Sequence, residues 1–295
     1  MADHTESGGT ESFVTVADGC RLWTVAGPAT AGKSEPASGI VFCHGGPGYW
    51  DTLKPVSDLV ADRGRTVRWD QRGGGRSDHQ GPYTLARFTA DLDTVRTHYG
   101  FDQVTLVGHS WGATLALHYA LAMPDRVTRL VYMAGVGLGW NWRRQHEAGH
   151  VAAVAGFPGY AKRISALRSK PELSPAESRE LNVLNFTAEF ADPATARTYA
   201  EVELTPHFIP DPQVNPTLNA EARTWTEAEL VDRCEKLFVP TLILDGKLDL
   251  RPRWAVDSLA EALPEVTRYT FDRAGHFPWI DRPKEFAEVL RRFIR

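Results

Sequence analysis

The chain has 295 residues, of which 42% are hydrophobic and 24% are charged, so it is long enough to bury a large core. Its net charge of −4 argues against a nucleic-acid partner and against a membrane surface as partner. No apolar run reaches the roughly 18 residues that a transmembrane helix needs. Three cysteines without metal-ligand spacing are typical of free thiols in a reducing compartment. We therefore expect a cytoplasmic protein without a cofactor, and the sequence indicates no oligomeric state.

The N-terminal segment, residues 1–12, is polar and acidic and is predicted to be a disordered tail rather than a signal peptide. A hairpin should follow, because residues 13–17 and 20–26 alternate apolar and polar side chains around an Asp-Gly turn. Residues 27–34 formally match a phosphate-binding loop. That motif must open a helix, and Pro36 just after the match prevents one, so we reject nucleotide binding here.

Short apolar strands then alternate with helices, which is typical of a mostly parallel sheet covered on both faces. The pattern predicts strands at 40–43, 66–69, 103–107, 129–133, 240–246 and 266–271, and helices at 52–63, 84–99, 113–123, 254–263 and 283–294.

The alternation is interrupted in the second half of the chain. Residues 140–236 are mostly helical, polar and punctuated by proline, without a convincing strand. We therefore predict an α/β fold whose core comprises residues 13–139 and 237–295. The intervening residues are predicted to form an inserted helical cap.

A Gly-His-Ser-Trp-Gly motif at residues 108–112 lies between the strand at 103–107 and the helix at 113–123. A serine in this position must occupy a very tight turn, which flanking glycines permit because they lack a Cβ atom. The turn lifts the hydroxyl clear of the sheet, and the helix N-terminus behind it favours negative charge. This context predicts that Ser110 is a nucleophile rather than part of an ordinary turn.

A serine hydroxyl is a poor nucleophile near neutral pH, so it needs a base that is oriented by an acid. In sheet folds of this kind the chain order is serine, acid, histidine. Asp249 follows the strand at 240–246 and His276 follows the last strand, so both should lie at the sheet edge that carries Ser110. Asp245 is the competing acid, but it precedes a glycine turn that we expect it to support.

The negative oxygen that forms during attack on a carbonyl needs two backbone donors. The residue after the nucleophile, Trp111, is predicted to supply one N–H group. The glycine-rich loop at residues 44–48 should supply the other, and Gly46 is the preferred donor, because glycines allow close backbone approach.

Three motifs together resemble the proline iminopeptidase family of α/β-hydrolases: HGGPG at 44–48, DQRGGGRS at 70–77 and GHSWG at 108–112. The resemblance covers the predicted core and implies an α/β-hydrolase fold, with the middle motif as a core-stabilising turn. Gly74 departs from the family, which commonly carries Cys, Ser or Thr there. Esterases, lactonases and amide hydrolases are similar in the same segments, so the resemblance is more specific for the fold than for the substrate.

Substrate choice belongs to the cap. An enzyme that removes an N-terminal residue must bind a free ammonium group, and members of this family place glutamates in the cap for that purpose. Residues 199–208 are similar, so the resemblance implies Glu201 or Glu203 as the ammonium partner, with a solvated helix position as the alternative for either. Four tryptophans have two alternative roles, lining an aromatic substrate pocket or simply packing within the cap: Trp50, Trp140, Trp142 and Trp225.

Residues 146–150 (HEAGH) formally match the zinc-protease motif, which places two histidines on one helical face. Gly149 weakens that helix by about 1 kcal/mol relative to alanine, and no third ligand stands out. We therefore predict no metal site.

The sequence thus predicts a serine hydrolase that works through an acyl-enzyme with Ser110, His276 and Asp249. The favoured activity is the release of an N-terminal proline or a similar small residue from short peptides. An esterase, amidase or lactonase acting on a small metabolite is the alternative. A cap-gated protein that binds a small molecule without turnover is the alternative of another class.

Overall fold

The computed structural model describes residues 9–28, 38–204, 208 and 210–295. Within these residues, eight strands form one sheet: β1 (Thr10–Thr15), β2 (Arg21–Ala26), β3 (Ser38–Cys43), β4 (Thr66–Trp69), β5 (Gln103–His109), β6 (Val127–Met133), β7 (Thr241–Gly246) and β8 (Val266–Phe271). The strand order is β1-β2-β4-β3-β5-β6-β7-β8. The pairs β1–β2 and β2–β4 are antiparallel, and every pair from β4 to β8 is parallel. The predicted mostly parallel α/β sheet is therefore confirmed.

The helices found in the described part of the chain are α1 (Lys54–Asp58), α2 (Leu85–His98), α3 (Trp111–Ala122), α4 (Arg143–Ala155), α5 (Tyr160–Arg168), α6 (Pro175–Phe186), α7 (Ala196–Glu203), α8 (Val214–Ala222), α9 (Glu227–Cys234), α10 (Asp257–Ala262), α11 (Pro278–Asp281) and α12 (Pro283–Phe293). Helices α4 to α9 follow one another in the range for which the sequence predicts a cap. Among the described residues, no helix is both long and apolar enough to cross a membrane.

Two elements differ most clearly from the sequence prediction. Strand β1 begins at Thr10, so residues 10–12 pair with β2 instead of belonging to a disordered tail. Helix α1 covers only five residues of the predicted 52–63, and turns lead from it into β4. Residues 1–8, and most of the rejected phosphate-loop match, lie outside the described residues.

The parallel strands bring their carboxyl ends to one edge of the sheet. The loops that leave β3, β5, β7 and β8 at this edge contain residues 44–48, Ser110, Asp249 and His276, respectively. Apolar side chains bury both faces of the sheet, with α2 and α3 against one face and α1 and α12 against the other. The chain therefore holds the predicted site residues on loops that a rigid, buried sheet positions.

The turn after β4 contains a buried arginine. The Arg72 side chain is fully buried, and its Nη2 atom donates to Asp91 Oδ1 on α2 at 2.8 Å. Its Nη1 atom donates to Asp18 Oδ2, in the β1–β2 turn, at 3.0 Å. The motif at 70–77 thus connects the hairpin, the sheet and α2, in agreement with the core-stabilising role that the resemblance implies.

Gly74 has a packing reason for its departure from the family pattern. A Cβ atom at this position would lie 1.9 Å from the carbonyl oxygen of Tyr49. Real Cβ atoms do not approach backbone oxygens so closely, and backbone cannot yield as a flexible side chain can. Glycine is therefore required here by the path of the chain through residue 49.

Replacing Arg72 with methionine should lower the free energy of unfolding by about 3–5 kcal/mol, because it leaves the buried Asp91 carboxylate without its partner. Urea unfolding followed by circular dichroism measures this loss. Lys236→Met is the matched control, since Lys236 and its partner Asp232 are 70% and 65% exposed and their pair should contribute less than about 1 kcal/mol. Equal losses in the two variants would contradict the assignment.

Candidate active site

The turn between β5 and α3 holds Ser110 in a strained conformation. Its φ of +55° and ψ of −120° are uncommon for a residue with a side chain. Its N–H group donates to Met133 O at 2.8 Å, which fixes the turn to β6. A Cβ atom on Gly112 would lie 2.0 Å from Cys43 O, and one on Gly108 would lie 2.3 Å from Gly112 O. The glycines on either side of the serine are thus required by close backbone packing.

The two other residues of the predicted triad are in contact. His276 Nδ1 lies 2.6 Å from Asp249 Oδ2, and the side chains are 4% and 6% exposed. Burial alone would raise the pKa of Asp249, but His276 and Arg251 outweigh it and hold that pKa below its usual value. The ionised carboxylate accepts a hydrogen bond from Nδ1–H, so Nε2 is the basic nitrogen of the ring. Asp245, the competing acid, instead accepts from Arg268 at 2.8 Å.

A cap residue joins this pair through an arginine that sequence reasoning missed. Arg251 Nη1 lies 2.7 Å from Glu189 Oε2 and 3.1 Å from Asp249 Oδ1. The backbone oxygen of Glu189 also accepts from His276 N at 3.0 Å. Burial disfavours the Glu189 charge, but chiefly Arg251 overcomes this and holds the pKa of Glu189 well below its usual value. Glu189 follows α6, so this helical segment contacts His276 directly and Asp249 through Arg251.

Two acids and a histidine at this point are residue types that also bind metal ions. Ligand atoms of Glu189, Asp249 and His276 lie within 4.8 Å of one another. The Arg251 guanidinium already lies between the two carboxylates and supplies the positive charge that a metal would bring. Arg251 therefore balances the negative charge of both carboxylates.

The two histidines of the zinc-like motif on α4 lie near different protein groups. His150 Nε2 lies 3.0 Å from Asn185 O, while His146 Nε2 lies 3.8 Å from Glu189 Oε1. Their ring centroids are 6.2 Å apart. His150 is thus hydrogen-bonded to the end of α6, whereas His146 Nε2 is buried without a hydrogen-bond partner among the described residues.

Gln71 fixes the glycine loop to the serine turn. Its side-chain nitrogen donates to His44 O at 2.8 Å, and its side-chain oxygen accepts from Trp111 Nε1 at 3.1 Å. Its backbone N–H donates to His44 Nε2 at 3.0 Å. Burial lowers the pKa of His44, which favours the neutral ring that can accept this bond. Nδ1–H then donates to Gly45 O at 2.6 Å.

Both residues predicted to bind the oxyanion border the space next to Ser110. Trp111 is the first residue of α3, so its backbone N–H has no acceptor inside the helix. Gly46 has a φ of +136°, a conformation that favours glycine. The structure therefore brings Gly46 and Trp111 together with the serine.

Two cavities meet at this point. One, the glutamate cavity, has a volume of about 240 Å³ and is lined by Ser110, His276 and Glu203 among others. The second, the tryptophan cavity, has a volume of about 230 Å³. The tryptophans that line it are Trp111, Trp140, Trp142 and Trp225. The residues that line both cavities are Gly46, Ser110, Asn215 and Arg251.

The two candidate glutamates of the cap have different surroundings. Glu201 is 45% exposed and pairs with Arg197 at 2.8 Å, so it is a solvated helix residue and does not line the cavity. Glu203 Oε2 is buried and has no hydrogen-bond partner within the described residues. Burial and the nearby Asp51 raise the pKa of Glu203 to about 8. The structure thus brings Glu203, and not Glu201, to the site.

Trp50 lies beside this glutamate. Its Nε1 atom donates to the backbone oxygen of Glu203 at 3.1 Å, and its ring centroid lies 5.5 Å from that of Phe208. It lines the glutamate cavity and is 4% exposed. The other three tryptophans named in the sequence analysis, Trp140, Trp142 and Trp225, line the tryptophan cavity. Their position is consistent both with a substrate pocket and with simple packing.

Fold and site together define a hydrolase. Residues 40–283 match the family described as alpha/beta hydrolase fold, and the chain belongs to this family. It is similar to the proline iminopeptidase of Lactiplantibacillus plantarum, with 27% identity over 271 residues that cover 86% of this chain and 91% of that protein. The resemblance inferred from the three motifs is therefore confirmed.

Solved structures show the same fold. The proline iminopeptidase of Mycobacterium smegmatis has a TM-score of 0.69 and 19% identity, and the match covers 97% of each chain. An esterase from Exiguobacterium antarcticum has a TM-score of 0.68 and 20% identity, covering 97% of this chain and 99% of that one. At identities of 19% and 20%, these similarities establish the fold alone.

Gly112→Ala should lower the free energy of unfolding by about 3 kcal/mol or more and abolish turnover, because the new Cβ atom would overlap the backbone of Cys43. Thermal unfolding and any hydrolytic assay measure the two effects. Gly149→Ala is the matched control: its Cβ would lie 3.7 Å from Leu250 Cδ2, an ordinary contact. It should raise the free energy of unfolding by about 1 kcal/mol through helix propensity. A stable, active Gly112→Ala protein would contradict the close approach.

Proposed function

We propose that this hydrolase releases an N-terminal residue with a free amine from a short peptide, through an acyl-enzyme formed on Ser110. One observation carries the proposal: the buried carboxyl group of Glu203, whose Oε2 atom has no hydrogen-bond partner among the described residues, lines the same cavity as Ser110 and His276. A buried carboxyl without a partner is unfavourable unless a ligand completes it. Similarity to proteins named proline iminopeptidases supports the same assignment.

In the first step, Ser110 Oγ attacks the carbonyl carbon of the first peptide bond while His276 Nε2 takes the hydroxyl proton. Asp249 holds the Nδ1–H group at 2.6 Å and stabilises the imidazolium that forms. The imidazolium then gives its proton to the leaving nitrogen as the C–N bond breaks. The products of this step are an ester on Ser110 and a free amine.

The negative oxygen of each tetrahedral intermediate accepts hydrogen bonds from the backbone N–H groups of Gly46 and Trp111. A donor of this kind stabilises the transition state by about 3 kcal/mol. In the second step, His276 takes a proton from water, and the hydroxide attacks the ester carbonyl. The proton returns to Ser110 Oγ as the C–O bond breaks and the free acid leaves.

Glu203 supplies specificity in this scheme. A substrate ammonium placed near its carboxylate would provide the charge partner that the cavity lacks, and the pair would be largely desolvated. Trp50 borders the same cavity and offers an aromatic wall for a small or cyclic side chain. A neutral acyl group would gain nothing from Glu203.

The first test compares the kcat/KM for a prolyl arylamide with that for a neutral acyl ester of similar size, with Ser110→Ala as the blank. Glu203→Gln should lower kcat/KM for the prolyl arylamide by about 10–100-fold, because it removes a charge-assisted contact. The ester rate should change far less. Glu201→Gln, two residues away on the same helix, should leave both rates within about twofold because its side chain lies in solvent.

Three outcomes contradict this assignment. Full turnover by Ser110→Ala would remove the whole mechanism. Turnover of the ester alone would replace the peptidase with an esterase on the same core. Equal losses in Glu203→Gln and Glu201→Gln would show that neither residue binds the ammonium.

The preference for a free amine should also depend on pH. Since the pKa of Glu203 is raised to about 8, most of this carboxyl is protonated below that pH and must lose its proton to pair with an ammonium. The ratio of the arylamide rate to the ester rate should therefore rise as the pH approaches 8, until the substrate amine itself loses its proton. Using the ratio cancels ionisations common to both substrates. In Glu203→Gln the ratio should be flat over this range, and a persistent slope would assign it to another group.

A further inference from the structure

The tryptophan cavity contains donors that the proposed reaction leaves without a role. Arg143, on α4, lines this cavity close to Ser110. Its Nη2 atom donates to Asn219 Oδ1 at 2.9 Å, while its Nε atom is buried without a hydrogen-bond partner among the described residues. The indole nitrogen of Trp142 is likewise buried and has no acceptor within the described residues. Two of the residues that line the cavity thus have a buried donor without an acceptor among the described residues.

The positive charge of Arg143 in this cavity also has no directly paired carboxylate in the described part of the chain. Across the described residues, no carboxylate lies within 4.0 Å of the Arg143 guanidinium, whereas Arg251 nearby is paired with two. The Arg143 guanidinium lies 4.3 Å above the Trp140 ring, which holds it against the cavity wall. Burial and the like charges of Arg223 and Arg251 lower the pKa of Arg143, and the more distant Glu147 offsets this only in part; an arginine nevertheless stays protonated in proteins. A half-buried cation that lines a cavity and has no directly paired carboxylate among the described residues is complementary to an anionic ligand.

The size of the cavity restricts that ligand. Its volume of about 230 Å³ lies below the roughly 300–1,000 Å³ of pockets that take drug-sized molecules. The glutamate cavity is equally small, at about 240 Å³. Each therefore accommodates one small residue rather than a longer peptide segment.

We infer that the tryptophan cavity binds the carboxylate of the leaving group at Arg143, so that the preferred substrate is a dipeptide. Its free amine would meet Glu203 in one cavity, its free carboxylate would meet Arg143 in the other, and its peptide bond would lie at Ser110 where the cavities join. This inference rests on the proposed function, because it takes the acyl residue to be the one held by Glu203.

The test measures kcat/KM for prolyl-alanine and for prolyl-alanine amide, which differ only in the charge of the leaving group. The wild-type protein should prefer the free acid by about tenfold or more, the usual effect of a hydrogen bond to a charged group. In Arg143→Met the ratio of the two values should fall to about one, and Arg143→Lys should restore part of it. Circular dichroism shows whether each variant folds. If Arg143→Met does not fold, the ratio measured for Arg143→Lys tests the inference instead.

Arg223→Met is the matched control. This arginine is exposed and lies 5.9 Å from the same Trp140 ring, but it does not line the cavity, so its loss should leave the ratio unchanged. A wild-type ratio near one, or a ratio that survives Arg143→Met, would overturn the dipeptide inference. If the prolyl arylamide is still hydrolysed in that case, the proposed function stands. Failure to cleave any prolyl amide bond while an ester is cleaved would overturn both.

Discussion

The Arg251 guanidinium joins two buried carboxylates that come from different parts of the chain. Glu189 follows a cap helix, whereas Asp249 follows a core strand, and each lies within 3.1 Å of Arg251 Nη1. Removing one partner from such a group leaves an uncompensated buried charge, which is far less favourable than the group with all its members. The low pKa of Glu189 therefore depends chiefly on Arg251, and that of Asp249 depends on His276 and Arg251 together. Since Asp249 orients His276, the geometry of the candidate triad depends on this contact between the two parts.

A second set of contacts holds the opposite side of the site. His44, Gln71 and Trp111 come from three loops at the carboxyl edge of the sheet, and Gln71 is hydrogen-bonded to both of the others. The motifs that carry the family resemblance are therefore one hydrogen-bonded unit in three dimensions. This explains why they indicate the fold so strongly and the substrate so weakly: they position the serine and the glycine loop, whereas the glutamate cavity also needs cap residues such as Glu203.

The sequence predicted correctly those features that depend on neighbouring residues or on the order of elements along the chain. Buried strands follow from runs of β-branched residues, and chain order with strand ends was enough to place Asp249 and His276 in contact. The Glu189–Arg251 pair joins residues far apart in sequence, and no local pattern marks such a pair. The choice between Glu201 and Glu203 was also beyond the sequence. Two residues on a helix are about 200° apart around its axis, so only one can face the cavity, and the packing of α7 decides which.

Because the two cavities meet at one serine, the two products of the proposed reaction would leave the site at different steps. In that scheme the leaving group would vacate the tryptophan cavity after the first step, while the acyl group would still fill the glutamate cavity on Ser110. Water would then reach the ester through the vacated space. Any other small amine with a carboxylate would occupy that space by the same contacts as the original leaving group. The acyl-enzyme would then partition between hydrolysis and formation of a new peptide bond, so the arrangement that defines a cleavage site also provides an acceptor site for the reverse chemistry.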